Sequence, residues 1–277
     1  MRARVHIIKK KKDEIDVNFV LKALKQIEMH NFFSGTEKNI LIKPNWVCDD
    51  LSSTGNVTST DTLEGVVKYL VEDMEIPPSQ IFLGDGGQGN SCQLTMKRND
   101  VFRLKKYGLK LVDLNQDERV DDIKVKNPLA LNSVNVAKTA WEADCIISIP
   151  SLKTHSMAGT TLSMKNLMGA ILPKGIMHSR IHEKIADLTS LFRSKMKFQI
   201  IDGIIGSDGF EIGGSSIEMN IIIAGDDPVA VDRVGSAIIG RNPKYLKYAE
   251  EKGLGIANLD DIEVLGVSIE EAYQKFY

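Results

Sequence analysis

The chain has 277 residues, and at roughly 150 residues per domain this length allows one large domain or two small ones. Its 35 basic and 37 acidic side chains nearly cancel, which argues against a protein that binds nucleic acid or a membrane surface through a basic excess. No apolar run approaches the ~20 residues of a membrane span, and the first residues lack the apolar core of a secretory signal. We therefore expect one cytoplasmic domain over residues 1–277, with no nucleic-acid or membrane partner.

Short apolar runs alternate with segments of helical periodicity along the chain. The predicted strands are 5–8, 39–42, 81–84, 109–114, 145–149, 198–202 and 219–224. The predicted helices are 17–29, 61–73, 94–107, 137–143, 162–168, 182–196, 228–239 and 243–252. Because the strands are continuous apolar runs, we expect them to be buried on both faces. The predicted fold class is therefore α/β, a mainly parallel open sheet with helices on both faces, with a small antiparallel edge ribbon at 118–136.

Polar side chains follow five of the predicted strands. In open α/β sheets, ligands bind beyond the carboxyl ends of the strands. We therefore predict one concave site at this edge, formed by residues that follow predicted strands: Lys43, Asn45, Asp85, Lys153, His155, Asp202 and Asp227. A formal G-x-G-x-x-G match at 84–89 is weak, because it follows a middle strand and is separated from the next helix. It is better interpreted as a glycine-rich turn that lines this pocket.

The densest group of polar residues lies between positions 148 and 188. A helix is predicted to begin near Thr161, and its backbone N–H groups, together with Lys153 and Lys165, would suit a phosphate or carboxylate. Asn166 lies in the same helix. His178 and His182 are four residues apart, so with His155 they form an alternative metal site. The simpler interpretation is that these histidines cap a helix or face solvent.

Two aspartates near the end of the chain have both a structural and a functional interpretation. Asp227 precedes Pro228, which suits the first helical position, so Asp227 is a natural N-cap. Asp232 would lie in the second turn of the same helix and would complement its dipole. Both carboxylates are also candidates for orienting a substrate.

Several segments resemble a known family, and they follow one another in order along the chain. They are ILIKPNW at 40–46, IFLGDGG at 81–87, CIISIPSLKTHSMAGTTLSMKNLMG at 145–169, IHEKIADL at 181–188, FQIIDGIIGSDGFEIGG at 198–214 and IAGDDPVAVD at 223–232. From about residue 40 to Gly255, the chain resembles the uncharacterised family known as domain of unknown function 362. The resemblance implies a shared fold and a shared site, with no assigned reaction.

Many members of this family are fused to ferredoxin-type cysteine motifs, which implies a link to redox chemistry. This chain instead has three well-separated cysteines (Cys48, Cys92 and Cys145) and no CxxC pair, which is too few for a four-cysteine cluster. We therefore expect no intrinsic iron–sulfur cluster. The partner that the resemblance implies is a separate electron-carrier protein, and the cofactor stays unspecified.

Together these patterns predict an enzyme that acts on a small anionic metabolite. His155 would be the general acid/base, since imidazole titrates near neutral pH, and the other predicted catalytic residues are Lys153 and Asp202. The predicted substrate-binding residues are Lys43, Asn45, Asp85, Lys165, Asn166, Asp227 and Asp232. The alternative is a non-catalytic carrier that binds a cofactor or metal and hands it on.

Overall fold

The computed structural model describes residues 2–277, in which strands and helices alternate along the chain. The strands are β1 (Ala3–Lys9), β2 (Ile40–Pro44), β3 (Ile81–Asp85), β4 (Lys110–Asp113), β5 (Arg119–Lys124), β6 (Ser133–Ala137), β7 (Cys145–Ile149), β8 (Ser151–His155), β9 (Gly159–Thr161), β10 (Ile171–Leu172), β11 (Met196–Asp208), β12 (Ser215–Gly225) and β13 (Ile262–Gly266). The α-helices are α1 (Asp16–Ile27), α2 (Thr60–Lys68), α3 (Ser91–Arg98), α4 (Lys138–Glu142), α5 (Ser163–Asn166), α6 (Ile181–Phe192), α7 (Pro228–Ile238), α8 (Tyr245–Glu251) and α9 (Ile269–Ala272).

The central sheet has ten strands, and its main row has the order β13–β1–β12–β11–β7–β2–β3–β4. The neighbours β4, β3, β2, β7 and β11 pair in parallel, and so do β1 and β13. β12 is antiparallel to both β11 and β1. Within residues 2–277 it is the one strand of this row that runs in the opposite direction, so its carboxyl end lies at the opposite edge of the sheet.

The strand β7 continues into β8 across Pro150. β8 pairs in parallel with the second half of β11 and antiparallel with β9. Because β8 prolongs the sheet past the ends of β2 and β3, Lys153 and His155 stand above the carboxyl edge of the parallel strands. This extension forms one wall of the site described below.

Apolar side chains of the strands alternate between the two faces of the sheet, as pleated geometry requires. On β2, Ile40 and Ile42 belong to the core beneath α1, α2 and α3, whereas Leu41 belongs to the core beneath α4, α5, α6 and α8. A third cluster packs α7 against β1, β11 and β12. The helices therefore cover both faces, as the apolar runs of the sequence predict.

The structure confirms the predicted α/β class, and every predicted strand and helix has an observed counterpart. The ribbon predicted at 118–136 is also present, but it belongs to a separate three-stranded antiparallel sheet of β5, β6 and β10. The short strands β8, β9, β10 and β13 lie outside the predicted elements of the sheet. Among residues 2–277, no helix has the length and apolar character needed to cross a membrane.

Candidate functional site

A cleft of about 730 Å³ opens at the carboxyl edge of the parallel strands. The ends of β2 and β3, the β8–β9 extension, the turns after α5 and the loop between β11 and β12 form its walls. The structure brings together six of the predicted catalytic and substrate-binding residues in this lining: Asn45, Asp85, Lys153, His155, Lys165 and Asn166.

A buried ion pair closes the floor of the cleft. Lys43 Nζ lies 2.6 Å from Asp85 Oδ1, and the two side chains are 0% and 3% exposed. The other carboxylate oxygen, Asp85 Oδ2, accepts a 2.7 Å hydrogen bond from the backbone N–H of Trp46. A Cβ atom on Gly169 would lie 1.9 Å from Asp85 Oδ1, so only glycine leaves room for this pair.

Lys43 is therefore not placed as an anion ligand, although the sequence predicts that role. Its ammonium also donates to the carbonyl of Pro44 and to Asn166 Oδ1, each at 3.3 Å. Because three acceptors surround its ammonium and no surface is exposed, all the hydrogen-bond donors of Lys43 are satisfied within the protein. It is missing from the cleft lining because its side chain turns under the floor towards Asp85.

Asn166 links the floor to the helix α5 that carries the next lysine. Its Nδ2 donates to the Lys43 carbonyl at 3.0 Å and to Ser148 Oγ at 3.1 Å. Its Oδ1 also accepts from Asn45 Nδ2 at 3.2 Å. These bonds use the side-chain amide of Asn166 completely, so its observed role is to fix α5 against the strand ends.

Lys165 differs from every other lysine of the site, because its ammonium has no hydrogen-bond or ion-pair partner among residues 2–277. The residue is 9% exposed, and its amine faces the cleft. Burial, followed by the nearby charge of Lys153, lowers the pKa of Lys165 to about 7. A lysine with this pKa is present partly as the free amine at neutral pH.

Lys153 lies on β8 and is also buried, but it has two acceptors. Its Nζ donates to the backbone carbonyl of Asn56 at 2.7 Å and to that of Glu211 at 3.2 Å. Burial lowers the pKa of Lys153 to about 8. It therefore remains mainly an ammonium at neutral pH, with one N–H left for a ligand.

His155 has a defined tautomer, because its Nδ1 accepts hydrogen bonds from the backbone N–H groups of Met157 (3.1 Å) and Ala158 (3.2 Å). Burial, followed by the charge of Lys165, lowers the pKa of His155 to about 3. The ring is therefore neutral at physiological pH and carries its proton on Nε2. This geometry suits a fixed hydrogen-bond donor better than the general acid/base that the sequence predicts.

Two further charged residues line the cleft and were not in the predicted set. Lys174 follows β10 and donates to Asn115 Oδ1, and burial lowers its pKa to about 8. Glu211 comes from the loop between β11 and β12. Burial opposes its ionisation, but hydrogen bonds from its own backbone N–H and from Ser156 bring the pKa of Glu211 down to about 2. Neither residue directly follows a predicted strand, so their positions in the sequence do not place them at the carboxyl edge of the sheet.

The start of α5 is not the anion site that the sequence predicts. The N–H groups of Ser163 and Met164 already donate to the two oxygens of Asp232, at 2.7 Å and 3.1 Å. Asp232 is fully buried on α7 and also accepts from the Tyr245 hydroxyl at 3.3 Å. It does not line the cleft, and its position makes it a cap for α5 beneath the site.

Asp202 and Asp227 also lie away from the cleft, contrary to the predicted convergence. Asp202 turns towards α2, where it accepts from the backbone N–H of Ser59 at 2.9 Å, and burial raises its pKa to about 6. Asp227 follows β12, whose carboxyl end lies at the opposite edge of the sheet. There it caps α7 by accepting hydrogen bonds from the N–H groups of Val229 and Ala230. This is the N-cap role that the sequence predicts for Asp227 as the alternative to a role in the site.

The three histidines do not form the alternative metal site. His178 lines the cleft with His155, but His182 stacks on Tyr245 at a centroid distance of 6.4 Å. Arg180 has a φ of +50°, so the chain turns between the two histidines and they do not share a helix face. Across residues 2–277, no three His, Cys, Asp or Glu side chains are grouped to hold a metal ion.

Two known proteins share similarity with the chain over most of its length. The structure of the lactate racemase apoprotein from Thermoanaerobacterium thermosaccharolyticum has a TM-score of 0.52 and 14% sequence identity. The match covers 92% of this chain and 56% of that protein, so this chain spans little more than half of its length. At such low identity, the match shows a similar fold. Thylakoid-associated protein sll1697 from Synechocystis sp. is 24% identical over 239 residues, which cover 82% of this chain and 71% of the relative.

The strongest assignment comes from the family that shares the motifs around the cleft. The family described as Domain of unknown function (DUF362) matches residues 40–237. This range includes all four lysines of the site and every segment on which the resemblance in the sequence depends. The chain therefore belongs to the DUF362 family.

Proposed function

We propose that this protein is an enzyme that acts on a small carboxylate- or phosphate-bearing metabolite bound in the cleft. The observation that carries the proposal is the unpartnered amine of Lys165, which faces the cleft from a buried position. Buried charges in folded proteins are normally paired. An anionic ligand would supply the missing partner.

The charges around the cleft favour an anion over a cation. Lys153 and Lys174 line it together with Lys165, whereas Asp85 is engaged by the Lys43 ammonium and Glu211 by Ser156. With the ion pair neutral, three lysines face a single carboxylate. Lys153 and Lys174 would hold the anionic group of the ligand, because each keeps N–H donors that no described residue uses.

In the proposed chemistry, Lys165 replaces His155 as the residue that exchanges a proton. A catalytic base works best when its pKa lies near the operating pH, and the pKa of Lys165 is about 7. His155 would instead donate a hydrogen bond from Nε2 to a ligand oxygen. Asp202, Asp227 and Asp232 have no part in this proposal, because each is engaged in the scaffold.

Small carboxylates are the natural first probes of this site. The fold neighbour described as a lactate racemase apoprotein acts, by its name, on a small 2-hydroxy carboxylate, and we include lactate in the probe set for that reason. A cytoplasmic location remains part of the proposal.

Ligand-dependent unfolding tests the binding half of the proposal. Thermal melts are recorded with phosphate, sulfate, acetate, lactate and pyruvate, for the wild type, Lys165→Met and the control Lys247→Met. Lys247 is chosen because its side chain is 78% exposed and does not line the cleft. A ligand at about 100 times its Kd should stabilise the wild type and the control by about 2.7 kcal/mol, and the Lys165 variant much less. Equal responses from all three proteins, or none from any, would contradict the proposal.

Conversion of a metabolite tests the catalytic half. A small-molecule extract is incubated with the wild type and with Lys165→Met, and the two mixtures are compared by mass spectrometry. The proposal expects a substrate that disappears only with the wild type. A compound that copurifies with the protein unchanged and is never converted would favour the carrier alternative.

A further inference from the structure

The four lysines of the site differ in how many acceptors surround each amine. Lys43 has three, Lys153 has two and Lys174 has one. Lys165 has none among residues 2–277. An ammonium that is held by several oxygens keeps its protons and has no lone pair to offer. Lys165 is the lysine of this group whose nitrogen is free to react.

The surroundings of Lys165 also favour its neutral form. Its side chain is 9% exposed, and the charge of Lys153 acts on it directly. Both desolvation and a second nearby cation are established ways to activate a lysine as a nucleophile towards carbonyl groups. The carboxylates that could restore its charge are occupied elsewhere: Asp85 by Lys43 and Glu211 by Ser156.

We propose that Lys165 forms an imine with the carbonyl group of its substrate, which narrows the substrate class to small anionic aldehydes and 2-oxo acids. This inference rests on the proposed function, because the anionic group of the substrate must first bind beside Lys165. It adds a covalent step that anion binding alone does not require.

The step balances without an oxidant or reductant. The lone pair of the Lys165 amine forms a bond to the carbonyl carbon, and the carbonyl π pair moves to oxygen, which takes up a proton. The nitrogen then loses its protons as the hydroxyl group leaves as water, so amine and carbonyl give imine and water. Lys153 is placed to supply the proton to the departing oxygen, since two of its three N–H groups are held by the carbonyls of Asn56 and Glu211.

Reductive trapping tests the inference on the folded wild-type chain. The protein is treated with pyruvate or glyoxylate and sodium cyanoborohydride, digested, and its lysines are mapped by mass spectrometry. With pyruvate, the mass of Lys165 should increase by the mass of one pyruvic acid molecule less one oxygen atom. Lys247, which is 78% exposed, serves as an internal control in the same sample, and the same reaction in denaturant removes the effect of the fold. Lys165 should be trapped well before Lys247 in the native protein and no faster than Lys247 after denaturation.

Thermal melts of the same samples separate this inference from the proposed function. If pyruvate stabilises the protein but Lys165 stays unmodified, the proposal of an imine is wrong, whereas the proposal of anion binding is supported. If none of the probe anions stabilises the protein and no adduct forms, both proposals fail. The variant Lys165→Arg keeps a cation but lacks the nucleophilic amine, so it should retain stabilisation by pyruvate and lose the adduct. Trapping at Lys153 or Lys174 in place of Lys165 would also overturn the assignment.

Discussion

Replacing Lys165 with methionine should make the ligand-free protein more stable at neutral pH, even though it removes a residue of the proposed site. The wild-type side chain is buried and has no acceptor among residues 2–277 to compensate for its lost hydration. Methionine has a similar length, carries no charge and packs readily in irregular spaces. The change therefore removes an energetic cost and leaves little cavity behind.

The size of the gain follows from the titration of Lys165. Burial and the charge of Lys153 lower its pKa from 10.5 to about 7. At 1.36 kcal/mol per pKa unit, keeping this lysine charged in the folded state costs about 5 kcal/mol. Water in the open cleft screens part of that cost, so the expected stabilisation of Lys165→Met at pH 7 is about 2–4 kcal/mol.

The sign of the pH dependence gives a second check. Between about pH 7 and pH 10 the unfolded chain still binds the proton that the folded chain has released, so wild-type stability rises with pH in this window. Below about pH 7 both states are protonated at Lys165 and its cost is fully present. The advantage of Lys165→Met should therefore be largest below about pH 7 and should fade as the pH approaches about 10.

Urea unfolding of the wild type, Lys165→Met and the control Lys247→Met, in buffers free of small carboxylates and phosphate, measures this effect. The control should follow the wild type at every pH, since Lys247 is exposed. The reasoning would be refuted by a Lys165→Met protein that is no more stable than the wild type at pH 7. A stabilisation that does not change between about pH 7 and pH 10 would also refute it, because titration would then not be its cause.

Two further predictions concern carboxylates that the structure assigns to the scaffold. Asp85→Asn should destabilise the protein by about 3–5 kcal/mol, because it leaves the Lys43 ammonium buried and uncompensated. In urea unfolding, the double variant Asp85→Asn/Lys43→Met should recover part of this loss of stability. A loss below about 1 kcal/mol in the single variant would contradict the ion-pair argument. Asp227→Ala should lower the free energy of unfolding by about 1–2 kcal/mol, because α7 loses its cap. Anion binding measured by calorimetry should be unchanged. Weaker binding would instead show that Asp227 contributes to the site.

The fold class could be predicted because the sequence carries its strongest signals in the parallel strands. The runs at β2 and β7 are mostly apolar and buried on both faces, which is typical of strands covered by helices. The direction of β12 could not be read in the same way, since a buried antiparallel strand has the same composition. Its direction depends on the length of the preceding connection, which is only residues 209–214. Parallel neighbours need a dozen or more connecting residues, but the predicted strands ended too early to reveal this short turn.

That missed reversal explains one error in the predicted site, and hydrogen bonding explains the others. Lys43 and Lys165 have the same side chain in the sequence, and both were predicted to bind the anion. Only the folded chain shows that Asp85 is opposite Lys43, while Lys165 faces the cleft. Asp232 is likewise predicted to bind the substrate, yet its carboxylate accepts hydrogen bonds from the backbone at the start of α5. Tertiary contacts decide which polar groups remain unpaired. Residue type and spacing in the sequence do not reveal these contacts.

The isolation of Lys165 follows from how the fold engages each carboxylate near it. Asp85 is held by Lys43 and by the Trp46 N–H, and Gly169 leaves its carboxylate the space that a Cβ atom would fill. Asp232 lies beneath α5 but points its oxygens at the backbone of the helix. Glu211 is tied to Ser156 at 2.8 Å. Rotation of Asp85 or Asp232 towards Lys165 would leave buried donors unsatisfied, and rotation of Glu211 would break its hydrogen bonds with Ser156. The scaffold therefore opposes internal pairing of the Lys165 amine. A lysine kept free in this way is available to a ligand, and the cost of its burial is the free energy that a bound anion can recover.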